Sequence, residues 1–190
     1  MKSLSILIAE DEVLTRVDIK EILEKGGHFV CGECGNGLKA IELAKQTMPD
    51  LVVLDIMMPQ LDGIEAAKIL HTLNIPVVML TAYSQPGMIN RAENVYVYGY
   101  LVKPVSEQNL LATVRIAYAR WQDMKHVSGE LAEAKEQFEK QKIIARARAI
   151  LRDDRNLSEQ EAHKQLLKEA MQRRLPLVEW ARQIIGGGKQ

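Results

Sequence analysis

The stretch LVVLDIMMPQLDG, residues 51–63, decides the fold of the first part of the chain. Its opening run LVVL is apolar without alternation, which is typical of a strand covered on both faces. Strands of that kind occur mainly in parallel sheets with helices packed on each side. Asp55 ends this strand, at the edge where parallel sheets usually carry their ligand sites.

Apolar runs alternate with amphipathic stretches on both sides of this strand. The predicted strands are Leu4–Ala9, Phe29–Glu33, Leu51–Asp55, Val77–Thr81 and Tyr98–Val102. The predicted helices are Thr15–Lys25, Leu38–Gln46, Ile64–Leu73, roughly Gln85–Asn94, and a last one from Ser106 onward. Five strand–helix units in this order predict an α/β domain with a doubly wound, five-stranded parallel sheet.

Length and composition predict two soluble units. The chain has 190 residues, more than a typical single domain of about 100 to 150 residues. No apolar run approaches the ~20 residues of a membrane helix, and the N-terminal MKSLSILIAEDE lacks a signal-peptide cleavage site. We therefore expect a cytoplasmic protein without a membrane partner.

Polar side chains follow the predicted strands at the edge where ligands bind. They are Glu10, Asp11, Asp55, Thr81 and Lys103. Taken singly, each is equally well explained as a helix cap or a turn residue. Together, three carboxylates repel each other unless a cation compensates them, and Mg²⁺ suits oxygen ligands. An aspartate there can accept a phosphoryl group, because that reaction mainly needs charge neutralisation and positioning.

The first part of the chain resembles the receiver domains of two-component response regulators, which have a flavodoxin-like fold. The resemblance rests on ILIAEDE, LVVLDIMMPQLDG, VVMLTAYS and GYLVKP, in the family's order and spacing. It implies a receiver domain over residues 1–122, a sensor histidine kinase as partner and Mg²⁺ as cofactor. No enzymatic activity is expected beyond phosphoryl transfer to the chain itself and slow self-dephosphorylation.

The same resemblance implies a role for each residue at this edge. Asp55 is the expected phosphate acceptor, and Thr81 and Lys103 would hold the phosphoryl oxygens. Tyr100 would be the aromatic side chain that reorients on activation. The expected Mg²⁺ ligands are Asp11, Asp55 and the backbone carbonyl of Met57, with Glu10 acting through water.

Cys31 and Cys34 form a C-x-x-C pair, the spacing of redox motifs and of half a zinc site. A structural zinc needs four ligands, the sequence has no second pair, and Cys31 lies inside a predicted strand. We therefore interpret both as small buried thiols without metal or redox chemistry.

Residues 123–141 are predicted to form a helical linker. Its heptad spacing is short and is interrupted by Ser128–Gly129. The linker is either a single amphipathic helix packed on its own chain or the seam of a short coiled coil. We favour the seam, and with it a homodimer when the protein is phosphorylated, because charged residues flank the apolar positions. These positions are Met124, Val127, Leu131, Ala134 and Phe138.

A small unit of three helices is predicted for residues 142–186. An apolar stripe over residues 143–151 marks the first helix, which DDRN at residues 153–156 would break. A capping box at Ser158–Glu161 opens the second, and Pro176 suits the first turn of the third, which would end before Gly186. Helices this short must share a core to be stable. The expected buried face of the second helix is Ala162, Leu166, Ala170 and Met171.

Positive charge is concentrated in this last unit. The net charge of the chain is zero, but residues 141–190 carry 11 Lys and Arg against 6 Asp and Glu. The basic residues are expected to cluster near one corner of the unit. A solvated basic face is the simplest explanation, and phosphate contacts are the one we favour.

Residues 142–185 resemble the ANTAR domain, the three-helix RNA-binding module of transcription antiterminators. The matching text is KIIARARAILRDDRNLSEQEAHKQLLKEAMQRRLPLVEWARQII, in which Ala145 and Ala149 replace a common acidic residue and a common glycine. The resemblance implies an antiterminator that stabilises hairpins in leader transcripts and so prevents a terminator from forming. The predicted RNA contacts are Arg146, Arg148, Lys168, Arg173 and Arg174.

Two other functions remain open for the helical unit. A DNA-binding response regulator would place one of these helices in a major groove, since charge alone does not distinguish DNA from RNA. The short tail, with few Asn or Ser beside its basic residues, argues against that function. A protein-interaction output would dock the helices on a partner and leave the basic residues solvated.

Overall fold

A computed structural model describes residues 2–82 and 97–187 of the chain. The chain divides into two compact units, Met1–Lys125 and His126–Gln190. Within the described residues, the first unit contains a five-stranded sheet and the second contains only helices. The predicted helix near Gln85–Asn94 lies outside the described residues.

The sheet of the first unit is entirely parallel. Its strands are β1 (Ser5–Ala9), β2 (Phe29–Cys34), β3 (Leu51–Asp55), β4 (Val77–Ala82) and β5 (Val97–Lys103). Their order is β2-β1-β3-β4-β5, which is the doubly wound order of flavodoxin-like sheets. The described helices that start in this unit are α1 (Val13–Lys25), α2 (Gly37–Thr47), α3 (Gly63–Thr72) and α4 (Glu107–Arg155). The predicted fold class is confirmed.

An apolar layer covers each face of the sheet. Val52 and Met79 are fully buried in the layer that contains α2 and α3. Val53 and Leu80 are fully buried in the layer that contains α1 and the start of α4. Consecutive residues enter opposite layers because successive side chains of a strand point to opposite faces. This two-sided burial explains why LVVL shows no polar alternation.

Helix α4 has 49 residues and passes through Ser128 and Gly129 without a break. Four of its heptad side chains are between 42% and 64% exposed, namely Met124, Val127, Leu131 and Phe138. Although α4 is long, neither it nor another helix in residues 2–82 and 97–187 has an apolar stretch sufficient to cross a membrane.

A small core joins the end of α4 to α5 (Glu159–Arg173) and α6 (Leu177–Gly187). Its buried members are Ala147, Leu151, Ala162, Leu166 and Ala181. The predicted capping box is present: Oγ of Ser158 accepts the Glu161 N–H, and the Glu161 carboxylate accepts the Ser158 N–H. The predicted three-helix unit is therefore confirmed.

Of three local predictions in this unit, one is confirmed and two are wrong. Helix α4 ends at Arg155, inside the DDRN segment predicted to break it, and the φ of Asn156, 51°, lies in the left-handed region that asparagine tolerates. Met171 was predicted to be buried but is 77% exposed. It follows Ala170, and each residue turns by about 100° around a helix, so its side chain lies outside the buried stripe of α5. Helix α6 includes Gly186, past its predicted end.

Candidate functional site

The carboxyl edge of the sheet brings together side chains carried by β1, β3 and β5. Glu10, which follows β1, is 0% exposed, and Asp55, which ends β3, is 3% exposed. Lys103 is the last residue of β5. Its Nζ lies 2.7 Å from Oε2 of Glu10 and 2.9 Å from Oδ2 of Asp55. Three of the predicted site residues therefore meet in one buried ion-paired cluster.

Thr81 lies at the same edge, between Asp55 and Lys103 in the register of the sheet. Strand β4 separates β3 from β5. Asp55 pairs with Leu80 of β4 and Lys103 pairs with Ala82, so Thr81 occupies the position between them. Thr81 is buried, and its hydroxyl donates to the carbonyl of Ala82 at 3.2 Å.

Burial alters the acidity of the ion-paired cluster. It raises the pKa of both Glu10 and Asp55, and hydrogen bonds from Lys103 offset only part of that effect. For Lys103 burial acts to lower the pKa, but hydrogen bonds with Glu10 and Asp55 outweigh it and the pKa is raised. The ammonium therefore stays charged and is shared by two buried carboxyl groups.

Asp11 brings a third carboxylate to this edge. Carboxylate oxygens of Glu10, Asp11 and Asp55 lie within 4.8 Å of one another, and Asp11 is exposed to solvent. Three carboxylates facing one ammonium leave an excess of negative charge. Oxygen donors with this charge are what Mg²⁺ prefers, so the residues present fit a magnesium ion.

Met57 and Tyr100 are the remaining predicted site residues of the first unit. Burial raises the Asp55 pKa, and a hydrogen bond from the backbone of Met57 is one of the contacts that oppose it. The side chain of Met57 is exposed. Tyr100 lies on β5, pairs with Met79 of β4 and is partly exposed.

Sequence reasoning missed two residues at this edge, Gly63 and Arg16. The Gly63 N–H donates to the carbonyl of Ile56 at 2.9 Å, and a Cβ on Gly63 would collide with the carbonyl oxygen of Asp55. Glycine is therefore required beside the backbone of the acceptor residue. Arg16 of α1 donates from Nη1 to the carbonyl of Glu10. The Asp62–Gly63 pair was an available signal for the first contact, whereas no local pattern predicts the second.

Cys31 and Cys34 are free thiols. Cys34 is buried, burial raises its pKa, and its Sγ lies 3.7 Å from the carbonyl oxygen of Ile8. Cys31 is only partly buried, with Sγ 3.6 Å from Oγ1 of Thr47. The prediction of a buried thiol is therefore confirmed for Cys34 and was too strong for Cys31.

Arg146 and Arg148 point to different sides of α4, since two residues correspond to about 200° around a helix. Arg148 lines a cleft with residues of α5, and its Nη2 lies 3.3 Å from Oε1 of Glu159. Arg146 lines a separate cleft with Arg182 of α6. The basic residues thus do not share one corner as predicted, because each side of α4 faces a different helix.

The other predicted RNA contacts lie along α5 and at its end. Lys168 is exposed on α5, and Arg173 is the last residue of that helix. The Cζ atom of Arg173 lies 4.0 Å from the ring centre of Trp180 on α6, a cation–π contact that orients its guanidinium. Arg174 is exposed and caps α5 with a φ of 56°.

Two known domain families match these two regions. Residues 6–115 match the response regulator receiver domain, and residues 132–185 match the ANTAR domain. The chain therefore belongs to the response regulators and combines an N-terminal receiver domain with a C-terminal ANTAR domain.

Some known proteins align with nearly the whole chain, and others align only with the part that contains the receiver domain. The transcriptional regulatory protein PdtaR of Mycobacterium tuberculosis is 38% identical over 181 residues, covering 95% of this chain and 88% of PdtaR. The chemotaxis protein CheY of Bacillus subtilis is 36% identical over 111 residues, covering 57% of this chain and 92% of CheY. The signal receiver domain of a modulated diguanylate cyclase from Desulfovibrio desulfuricans G20 superimposes with a TM-score of 0.61 and 32% identity, covering 64% of this chain and 98% of that chain.

Proposed function

We propose that Asp55 accepts a phosphoryl group from a sensor histidine kinase and that the phosphorylated protein binds hairpin RNA as a transcription antiterminator. The observation that carries the proposal is the presence in one chain of the Glu10–Lys103–Asp55 cluster and an ANTAR domain. PdtaR, which matches nearly the whole chain, is named as a transcriptional regulatory protein, in agreement with this proposal.

Phosphoryl transfer would use the groups at the carboxyl edge. An oxygen of Asp55 attacks phosphorus while the P–N bond to the kinase histidine breaks, which leaves an acyl phosphate on Asp55 and an electron pair on the histidine nitrogen. Lys103, 2.9 Å from Asp55, and the hydroxyl of Thr81 would then hold the phosphoryl oxygens. Beyond this transfer and slow self-dephosphorylation we assign the chain no enzymatic activity.

Mg²⁺ would be held by Asp11, Asp55 and the carbonyl of Met57, with Glu10 acting through water. The carboxylate oxygens within 4.8 Å of one another support this ligand set. The ion supplies positive charge that neutralises the phosphoryl oxygens and orients them toward the acceptor. Tyr100 would transmit the change by reorienting its partly exposed ring.

The ANTAR domain would bind RNA through Arg146, Arg148, Lys168, Arg173 and Arg174. Hairpin loops suit a helical surface of this kind, because their unpaired bases are accessible and their phosphates attract guanidinium groups. Arg148 would exchange its contact with Glu159 for an RNA phosphate. By holding leader hairpins the protein would prevent formation of a terminator.

Phosphorylation would also favour a homodimer through the linker helix. The exposed heptad side chains Met124, Val127, Leu131 and Phe138 offer an apolar stripe for a second copy of α4. Light scattering of the full chain, with and without acetyl phosphate and Mg²⁺, tests this part: a dimer that forms only with the donor supports it, and an unchanged monomer contradicts it.

A comparison of nucleic acids tests the RNA assignment. Full-length protein treated with acetyl phosphate and Mg²⁺ is titrated into hairpin RNA and into duplex DNA of matching stem sequence. We expect tighter binding to the hairpin than to the duplex, a preference that persists when salt is raised from about 50 to 200 mM and disappears when the loop is closed by base pairing. Equally weak binding to both nucleic acids that disappears with salt contradicts the proposal. Preferential binding to the duplex favours a DNA-binding regulator instead.

A further inference from the structure

A basic groove lies between α4 and α6, on the side of α4 away from Arg148. It has a volume of about 440 Å³. Its lining residues are Glu139, Lys142, Ile143, Arg146, Arg182 and Ile185. Of its basic residues, only Arg146 was predicted from the sequence to contact RNA, so Lys142 and Arg182 are new candidates. We call this feature the α4/α6 groove.

The α4/α6 groove holds positive charge that is poorly neutralised by the protein itself. Over residues 2–82 and 97–187, neither Arg146 nor Arg182 forms an ion pair. Lys142 has only a loose contact, with Nζ 3.8 Å from Oε1 of Glu139. Other arginines of α4 are much closer to carboxylates: the Arg155–Glu169 distance, for example, is 2.6 Å. The groove cations are therefore available to an external anion.

Two of the residues that line the groove are apolar. Ile143 and Ile185 are partly buried and pack against the core of the three-helix unit. Cations beside apolar side chains suit a nucleic acid backbone, in which charged phosphates alternate with less polar ribose. Guanidinium groups bind phosphate oxygens through paired hydrogen bonds, and aliphatic side chains accept the less polar sugar faces.

We propose that the α4/α6 groove binds the phosphate backbone of RNA, as a second contact distinct from the surface around Arg148. This inference rests on the proposed function of the ANTAR domain. Because Arg146 and Arg148 point about 200° apart on α4, the groove takes a different segment of RNA from the one at Arg148. Its contacts are to phosphates, so they add affinity without reading base sequence.

The test replaces two groove cations, Lys142→Gln with Arg182→Gln, in the full-length phosphorylated protein. The slope of log K against log salt for hairpin RNA should fall in magnitude by about 2, roughly 1 for each lost phosphate contact. Hairpins with altered loop sequences should lose affinity by the same factor. A control removes the same charge from the exposed residues Lys45 and Arg120 of the receiver, and should leave the slope unchanged. Arg182→Lys, which keeps the charge, should preserve most of the slope.

Failure of the groove inference and failure of the proposed function give different results. If wild-type protein binds hairpin RNA and the groove variant keeps the wild-type slope, the groove inference is wrong and the proposed function stands. An equal loss in the Lys45/Arg120 control also overturns the inference, because the effect is then one of overall charge. If wild-type protein does not bind hairpin RNA, both proposals fail. Circular dichroism of every variant confirms that the helices remain folded.

Discussion

Lys103 and Asp55 are ion-paired at 2.9 Å although their strands, β5 and β3, are separated by β4. The same ammonium lies 2.7 Å from Glu10 beyond β1. One cation thus links the ends of three strands. It compensates two carboxyl groups that have almost no contact with solvent. The ammonium therefore matters to the fold as well as to its proposed role with phosphate, because without it both buried carboxyl groups would lack a counter-charge.

Removal of this cation should destabilise the receiver strongly. Lys103→Met leaves Glu10 and Asp55 buried without a counter-charge, so we expect the free energy of unfolding at neutral pH to fall by about 3 kcal/mol. That is the low end of the range for buried pairs, because the Lys103 side chain is 22% exposed. Urea unfolding of the full chain measures the effect, with exposed Lys45→Met as control. A loss no larger than that of the control would contradict the account.

The close approach of Gly63 to Asp55 yields a second prediction. Gly63→Ala forces a Cβ against the backbone carbonyl of Asp55, so we expect a loss of about 1 to 3 kcal/mol and slower phosphorylation by acetyl phosphate. Gly129→Ala is the matched control, because nothing beyond its chain neighbours and the backbone of its own helix lies within 4 Å of the added Cβ. In a helix interior that change should stabilise by up to about 1 kcal/mol. Thermal unfolding measures the stability change in both variants. Equal changes would show that Gly63 is not tightly packed.

The capping box of α5 should contribute measurably to the ANTAR domain. Ser158→Ala removes the acceptor for the Glu161 N–H, and we expect a loss of about 1 kcal/mol in unfolding free energy. Gln160→Ala, two residues further on and exposed, is the control and should have little effect. Urea unfolding followed by circular dichroism provides the comparison. Indistinguishable midpoints for the two variants would rule out a stabilising cap.

The partly buried position of His28 leads us to expect that receiver stability depends on pH. Its Nδ1 accepts the N–H of Leu4 at 3.3 Å, and burial lowers its pKa below the ordinary value. The unfolded chain therefore binds the proton more readily than the folded one. The contribution of neutral His28 is complete above the ordinary histidine pKa of about 6.5 and is lost as pH falls through the lower pKa of the folded state.

His28→Gln removes the titrating group and should flatten this dependence. Between about pH 7.5 and pH 5.5 the wild-type free energy of unfolding should fall more steeply than that of the variant. His126→Gln, which alters an exposed histidine, should behave as wild type. Identical slopes for wild type and His28→Gln would show that protonation of His28 is not linked to folding.

Most of the receiver was predictable because its signals are local. Apolar runs fix the strands, and parallel strands place their carboxyl ends at one edge, so Asp55 and Lys103 had to converge. The Asp62–Gly63 pair was a local signal near this edge, but the close approach of Gly63 to the carbonyl of Asp55 was not predictable, since it depends on how tightly α3 packs on β3.

The helical unit was harder to predict in detail. The capping box at Ser158 is a short-range pattern and was correctly located. Met171 was misplaced because a single step of about 100° separates a buried from an exposed position on a helix. The separation of Arg146 from Arg148 depends on which helix packs against each side of α4, which no local pattern specifies.

The central claim is that phosphorylation of Asp55 controls RNA binding, and one titration tests it directly. The affinity of full-length wild type and Asp55→Ala for hairpin RNA is measured with and without acetyl phosphate and Mg²⁺, with mass spectrometry to locate the phosphoryl group. We predict that the donor tightens wild-type binding by at least about fivefold, a typical allosteric coupling, and leaves Asp55→Ala unchanged. Unchanged affinity of wild type that is fully phosphorylated on Asp55, or equal tightening of Asp55→Ala, would contradict the claim.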